Sequence, residues 1–287
     1  MEFFKYQGTG NDFVILDGAE SGPFLSAREI EALCERHTGV GADGVIFACA
    51  PTSGADAAMR IFNADGSEAE MCGNGIRCLA RYLYERLGLA REEMLIETLA
   101  GIKALSLSVG DEGVDGVEVD MGLPELSAPG LPAPDDPARP GEVAVTMEGG
   151  EELRAFCLSM GNPHCVLFVE DAAKAPVPLV GPSLEKHAIF PGRTNVEFAQ
   201  IDGTHRIILR VWERGVGETL ACGTGACAAA VAAIHLGSCE SPVEVRLPGG
   251  ALGIRIDASG HVHMAGPAVE VFRGEISGAW AAETRPR

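Results

Sequence analysis

Lysine is scarce in this chain: four of the 22 basic residues are lysine, against 41 Asp and Glu, for a formal net charge of -19. A surface this acidic repels nucleic acid and anionic membrane, so neither is an expected partner. No apolar run of about 18 residues occurs, and the best stretch, Ala226 to Leu236, is too short and alanine-rich to span a bilayer. The N-terminus, Met-Glu-Phe-Phe-Lys5, shows no basic leader followed by an apolar stretch. The nine cysteines, an odd number, include no Cys-x2-Cys knuckle. They read as reduced thiols of a cytoplasmic protein. With 46% hydrophobic and 22% charged residues, the composition is that of a soluble globular chain long enough for two domains.

What is present is a repeat. The stretch from Asn63 to Gly75, containing Cys72-Gly-Asn-Gly, overlays the stretch from Glu213 to Gly225, containing Cys222-Gly-Thr-Gly, at an offset of 150 residues. Arg60 falls on Arg210, Phe62 on Trp212 and Glu68 on Glu218. At an offset of 151, Gly10-Asn11 falls on Gly161-Asn162, and Gly41 to Ala48 on Gly192 to Ala199. Three motifs in one order at offsets of 150 and 151 residues describe a duplicated domain, since solenoid repeats are far shorter.

Most segments read as short strands: Phe13–Leu16, Ala57–Phe62, Ile102–Val109, Val114–Met121, Cys165–Val169, Arg206–Trp212, Val243–Leu247 and Ala268–Phe272. Helical periods are few. Ser26 to His37 is one, with Ser26 and Glu29 spaced as a capping box. The others follow the cysteines, Gly75–Leu87 before Gly88 and Gly225–Leu236 before Gly237, both glycines standing as C-caps. Six prolines between Gly122 and Gly141 mark a connector or an irregular hairpin. Each domain is therefore expected to be a mostly antiparallel sheet curled around one central helix.

A cysteine at a helix N-terminus meets unpaired backbone N–H groups and the positive end of the helix dipole, and both favour thiolate. Glycines at 73, 75, 223 and 225 bare those amides to a carboxylate. Two such helix ends would hold one carboxylate with its α-carbon between two sulfurs. One thiolate removes the α-proton while the other thiol donates from the opposite face. The remaining cysteines, 34, 49, 78, 157, 165, 227 and 239, read as small core residues. Cys72-x5-Cys78 and Cys222-x4-Cys227 would not converge on zinc, so no metal is expected. Neither glycine cluster has the Lys-Ser/Thr of a P-loop.

Asn11, Asn63, Asn162 and Asn195 recur at strand ends, and Asn74 sits inside the first cysteine motif. Singly each is a turn residue, but Asn11 and Asn162 are repeat mates, and clustered amides suit a zwitterion. Glu213-Arg214 replaces Asn63-Ala64 in the second copy, and the arginine suits a second carboxylate. His164 stands near the second Gly-Asn, either tuning a sulfur or serving as a plain structural histidine.

Taken together, Lys5 to Phe13, Arg60 to Ser67, Met71 to Cys78, Gly161 to His164, Arg193 to Phe198, Trp212 to Thr219 and Ala221 to Gly225 resemble the diaminopimelate epimerases end to end. These are epimerases of lysine and peptidoglycan precursor biosynthesis that use no pyridoxal phosphate. The resemblance implies an α+β fold of two pseudo-symmetric domains, each a barrel-like sheet around a central helix, with the site in the cleft between them. It implies residues 1–118 plus 264–287 for the domain of Cys72, and 119–263 for that of Cys222. By matching motif, Cys72 and Cys222 resemble the acid–base pair. Gly73, Asn74, Gly223 and Thr224 resemble the carboxylate cradle, and Asn11, Asn63, Asn162, Asn195, Glu213 and Arg214 the substrate shell. His164 and Glu213 resemble groups that modulate the thiols. The resemblance further implies diaminopimelate as substrate, no cofactor, and a homodimer. Where some members carry a glutamine that touches substrate, this chain has Gly44, so that contact is lost or made by backbone. The rival readings are a proline or hydroxyproline racemase, which carries His where this chain has Asn74, and a non-catalytic amino-acid-binding or redox-sensing protein.

Overall fold

Strand-length apolar runs, bounded by glycine turns, set up most of the architecture. A computed structural model describes residues 1–111, 113–278 and 280. The chain divides into two units, Met1–Val119 with the chain from Ala265 onward, and Asp120–Met264. The C-terminal residues 281–287, assigned from sequence to the first domain, lie outside the described residues.

Unit 1 runs β1 (Glu2–Gly8), β2 (Asn11–Gly18), α1 (Ala27–Cys34), β3 (Gly44–Cys49), β4 (Ala57–Asn63), β5 (Glu68–Ala69), α2 (Gly73–Glu85), β6 (Glu93–Thr98), β7 (Gly101–Gly110) and β8 (Gly113–Gly122). The late strand Val269–Glu275 returns to pair antiparallel with β1. The β2–β3 and β4–β6 pairs are parallel, and the β1–β2, β3–β4, β4–β5, β6–β7 and β7–β8 pairs antiparallel. Unit 2 has β9 (Glu142–Thr146), β10 (Glu152–Ser159), β11 (Pro163–Phe168), α3 (Val177–Glu185), β12 (Asn195–Ile201) and β13 (Arg206–Glu213). It continues with β14 (Gly217–Thr219), α4 (Gly223–His235), β15 (Val243–Leu247), β16 (Gly250–Ile256) and β17 (Val262–Gly266). Its pairings repeat those of unit 1, with β11–β12 and β13–β15 parallel and β9–β10, β10–β11, β12–β13, β13–β14 and β15–β16 antiparallel.

The registers repeat too. Phe13 pairs with Gly44 in unit 1, and His164 with Asn195 in unit 2, each number advanced by 151. Phe62 faces Glu68 as Trp212 faces Glu218, and Arg60 and Arg210 each form an ion pair with the glutamate of their own copy.

Strands β2 and β3 are covered on both faces, hence their continuous apolar character. Val14, Leu16, Val45 and Phe47 join Ile30 and Leu33 of α1 in one buried cluster, while the Ile46 and Ile61 tips lie against Gly75 of α2. In unit 2, Cys165, Leu167, Val196 and Phe198 pack with Val177 and Leu184 of α3, and α4 packs against β10 to β13, β15 and β16. The body of α4 is buried nearly all round because its alanines and glycines let the strands approach. It closes in a Schellman motif: Ser238 N–H donates to Ala233 O at 2.8 Å and Gly237 N–H to Ile234 O at 3.0 Å, with Gly237 at φ 71°.

Helix α1 has its capping box at Ser26 and Glu29 but stops at Cys34, short of His37, because Glu35 turns extended at ψ 123°. Helices α2 and α4 begin two residues before the glycines expected to open them, directly after Cys72 and Cys222. Helix α3 was not expected from sequence. The proline-rich segment from Leu123 to Gly141 carries no helix, and its Glu125 bridges to Ser159. No helix among the described residues is long and apolar enough to cross a membrane.

Candidate active site

Both cysteines are helix N-caps. Cys72 caps α2 with extended torsions (φ −137°, ψ 120°), and Cys222 caps α4 in nearly the same conformation (φ −123°, ψ 113°). Helical hydrogen bonding begins with Ile76 N–H to Cys72 O and Ala226 N–H to Cys222 O, both 2.9 Å. The amides of residues 73–75 and 223–225 therefore precede the first intrahelical bond, as an anion-binding terminus requires. Position 225 has no room for a side chain, and position 75 is tight, with the ends of Ile61 and Ile46 at 3.0 and 3.1 Å from a Cβ there. A Cβ on Gly225 would stand 2.9 Å from Glu197 Oε1 and 3.4 Å from Cys222 Sγ.

In unit 1 the Cys72 thiol donates to Asn11 Oδ1 at 3.7 Å. The amide is aimed by Asp43, whose Oδ2 accepts from Asn11 Nδ2 at 2.8 Å and whose Oδ1 accepts from Arg36 at 2.7 Å. Asp12 is held by Lys5 at 2.6 Å and Arg36 at 2.8 Å. Burial pushes the Asp12 carboxyl up, but bonds from Arg36 and Lys5 outweigh it and hold the group well below the usual carboxylate range. Asn74 is only 2% exposed, and its Oδ1 accepts from Arg77 at 3.0 Å, so its backbone amide, not its side chain, is what the helix end presents. Arg77 itself is fully buried and donates to Gly73 O at 3.1 Å and Thr9 Oγ1 at 2.9 Å. It stiffens the cysteine turn, a role sequence reading passed over. The exposed Asn63 donates to Ser67 Oγ at 3.0 Å within its own turn. Gly44 has no space for a glutamine, because a Cβ there would meet Phe62 O at 2.5 Å.

Unit 2 joins more of the expected residues. Cys222 Sγ lies 3.5 Å from Thr224 Oγ1, which accepts from Asn162 Nδ2 at 3.4 Å. Asn162 Oδ1 faces His164 Nε2 at 2.9 Å, and His164 Nδ1 faces Glu197 Oε1 at 2.7 Å. His164 and Glu197 are both fully buried. Asn195 engages both ends of its amide, donating to Pro163 O at 2.9 Å and accepting from Arg214 N–H at 3.0 Å. Arg214 is exposed and donates to Gly192 O at 3.2 Å. Glu213 accepts from the Thr219 hydroxyl.

The helix end alone should favour thiolate, yet Cys222 departs from that expectation. Burial first, then the negative charges of Glu213 and Glu197, push its thiol well above the ordinary value, against the Thr224 hydroxyl and the Gly225 N–H. Cys222 is 6% exposed, so desolvation outweighs the dipole. Of the remaining cysteines, Cys34, Cys78, Cys157, Cys165, Cys227 and Cys239 are buried as core residues and Cys49 is only half-buried; burial pushes Cys78 up to about 12 and Cys34 up to about 11. Glu197 is the other residue sequence reading missed. Its repeat mate is Ile46, so a carboxylate at an inward, apolar position of the duplicated strand was the available signal. Among the described residues no three His, Cys, Asp or Glu side chains converge as metal ligands.

Comparison with known proteins points to one family. The family model described as diaminopimelate epimerase matches residues 3–127 and 156–271. A diaminopimelate epimerase of Moorella thermoacetica is 50% identical over 286 residues, covering 96% of this chain and 99% of its own. That of Heliobacterium modesticaldum is 48% identical over 284 residues, covering 96% and 99%. Among solved structures, a hydroxyproline epimerase of Agrobacterium vitis superposes with a TM-score of 0.70 at 16% identity, covering 96% of this chain and 91% of its own, a likeness of fold alone. The cysteine-capped helices and these full-length matches agree: the chain belongs to the diaminopimelate epimerase family.

Proposed function

We propose that this chain interconverts LL- and meso-2,6-diaminopimelate without a cofactor, with Cys72 and Cys222 as its acid–base pair. The observation that carries the reading is the duplicated cysteine N-cap: the same torsions, the same glycine frame and the same bare first-turn amides occur in both repeats. In each direction one thiolate takes the α-proton, forming S–H and breaking C–H. The electron pair spreads into the α-carboxylate, where helix amides stabilise it. The other thiol returns a proton to the opposite face and becomes the thiolate.

In this reading the amides of Gly73, Asn74, Gly223 and Thr224 hold the reacting carboxylate. Asn11, Asn63, Asn162, Asn195, Glu213 and Arg214 read the rest of the zwitterion, and His164 and Glu213 tune the thiols. A homodimer working in the cytoplasm follows from the family resemblance, and sedimentation velocity at micromolar concentration tests the dimer. The relatives named for this substrate support it. The shared fold of the hydroxyproline epimerase raises a second reading, activity on proline, and one assay separates them. Chiral chromatography of reactions with LL-diaminopimelate and with L-proline should show meso product from the first and no D-proline from the second. Racemised proline with unchanged diaminopimelate would overturn the assignment.

A further inference from the structure

The two copies treat their paired asparagines in opposite ways. In unit 1 Asp43 takes the NH2 end of Asn11, so the carbonyl oxygen faces the Cys72 sulfur. The repeat mate of Asp43 is Thr194, which spends its hydroxyl on Asn195 O. In unit 2 His164 takes the oxygen end of Asn162, so its NH2 end faces Thr224 and, beyond it, Cys222. What reverses the amide is a buried pair, His164 and Glu197, standing where unit 1 has Phe13 and Ile46.

Asn162 Oδ1 can only accept, so His164 Nε2 must carry hydrogen. One further proton lies between Nδ1 and Glu197 Oε1, on either atom, and the pair is neutral both ways. Neutrality suits the site: Glu197 Oε2 is buried with no hydrogen-bond partner among the described residues, and burial raises the carboxyl against the opposing influence of His164. With Nε2–H fixed as donor, every later link has a set polarity. Asn162 donates to Thr224 Oγ1, whose own hydrogen is then free for the Cys222 sulfur.

We infer that Glu197 is a positioning residue, locking His164 so that the chain His164–Asn162–Thr224 delivers a hydroxyl hydrogen bond to the Cys222 thiolate. No proton crosses the amide; only orientation is transmitted. The charged or titratable groups around Cys222 are Glu197 on β12, Glu213 on β13 and, behind Asn162, His164 on β11. This rests on reading Cys222 as an acid–base thiol, but it is tested without turnover.

The test is the pH dependence of iodoacetamide alkylation of Cys222 and Cys72, read by peptide mass spectrometry in the full-length protein. Two roles for Glu197 predict opposite signs. As a bare charge it opposes thiolate, so both Glu197→Ile and Glu197→Gln would speed alkylation of Cys222. As a positioning residue its loss in Glu197→Ile should slow alkylation about tenfold at pH 8, the size of one lost hydrogen bond to a charged sulfur. Glu197→Gln, which can still bond Nδ1, should stay near wild type, and Cys72 should be unmoved in both. Thr224→Val, which removes the last link at a partly exposed site, should match Glu197→Ile and serves if that variant fails to fold. Faster alkylation in both Glu197 variants, an unchanged Cys222 profile in Glu197→Ile or Thr224→Val, an equal loss in Glu197→Gln, or a parallel change at Cys72 would overturn the inference.

Discussion

Cys222 sits under opposed influences, and burial wins over the helix end. Of the charges that reinforce burial, Glu213 outweighs Glu197, whose charge is offset by its partner His164. Glu213→Gln should therefore speed alkylation of Cys222 about fivefold at fixed pH, since removing a nearby negative charge favours the thiolate. An unchanged rate would contradict the influence given to Glu213. Asp12 contributes to the pH dependence of unit 1, alongside Asp65 and Glu97, which hydrogen bonds also hold low. Its folded carboxyl lies below the unfolded value, so its stabilising contribution is complete above about pH 4 and is lost as pH falls through the depressed value. Urea midpoints measured at pH 7 and pH 3 should fall less in Asp12→Asn than in wild type. A parallel fall in both would contradict the role given to the Lys5–Asp12–Arg36 cluster.

At the scale of elements, the cysteine helices depend on glycine for approach. A Cβ at Gly225 meets the fixed, hydrogen-bonded Glu197 carboxylate and Cys222 itself, whereas a Cβ at Gly75 meets the ends of Ile46 and Ile61 at 3.0–3.1 Å, which can yield. Gly225→Ala should destabilise by about 1–3 kcal/mol in urea unfolding, and Gly75→Ala by less. The reverse order would contradict the packing described. Much at this scale was legible beforehand, because it rests on local chemistry: the capping box at Ser26, the positive-φ Gly237, and the alternating strand Val243–Leu247. Helix α3 was not legible. Pro178 in its first turn is compatible with helix, but the internal Pro182 argues against one, and the helix forms because tertiary packing overrides propensity. Gly181 lies so close to the Trp212 ring that a Cβ would stand 2.6 Å from Cγ. That contact joins residues far apart in the chain, and no local pattern announces it. Glu197 was hidden for a similar reason, since its meaning depends on β11 bringing His164 alongside.

For the whole molecule, duplication explains most of what is seen. Each unit repeats the other strand for strand, from paired register to the Arg–Glu ion pair ahead of each cysteine. The sequence repeat made this legible, as the motifs did for Cys72, Cys222, Asn11, Asn162 and His164. In the proposed two-thiol reading the differences between copies matter, because returning a proton to the opposite face needs one base and one acid at any moment. Phe13 and Ile46 stand in one copy where His164 and Glu197 stand in the other, so the two copies are not equivalent. The most direct test is proton NMR of LL-diaminopimelate in D₂O with reduced wild-type protein, Cys72→Ala and Cys222→Ala. The account predicts deuterium entering the α-position as meso product forms, with epimerisation lost in each variant. Full epimerisation by either variant, or no exchange by fresh reduced wild-type protein, would contradict it.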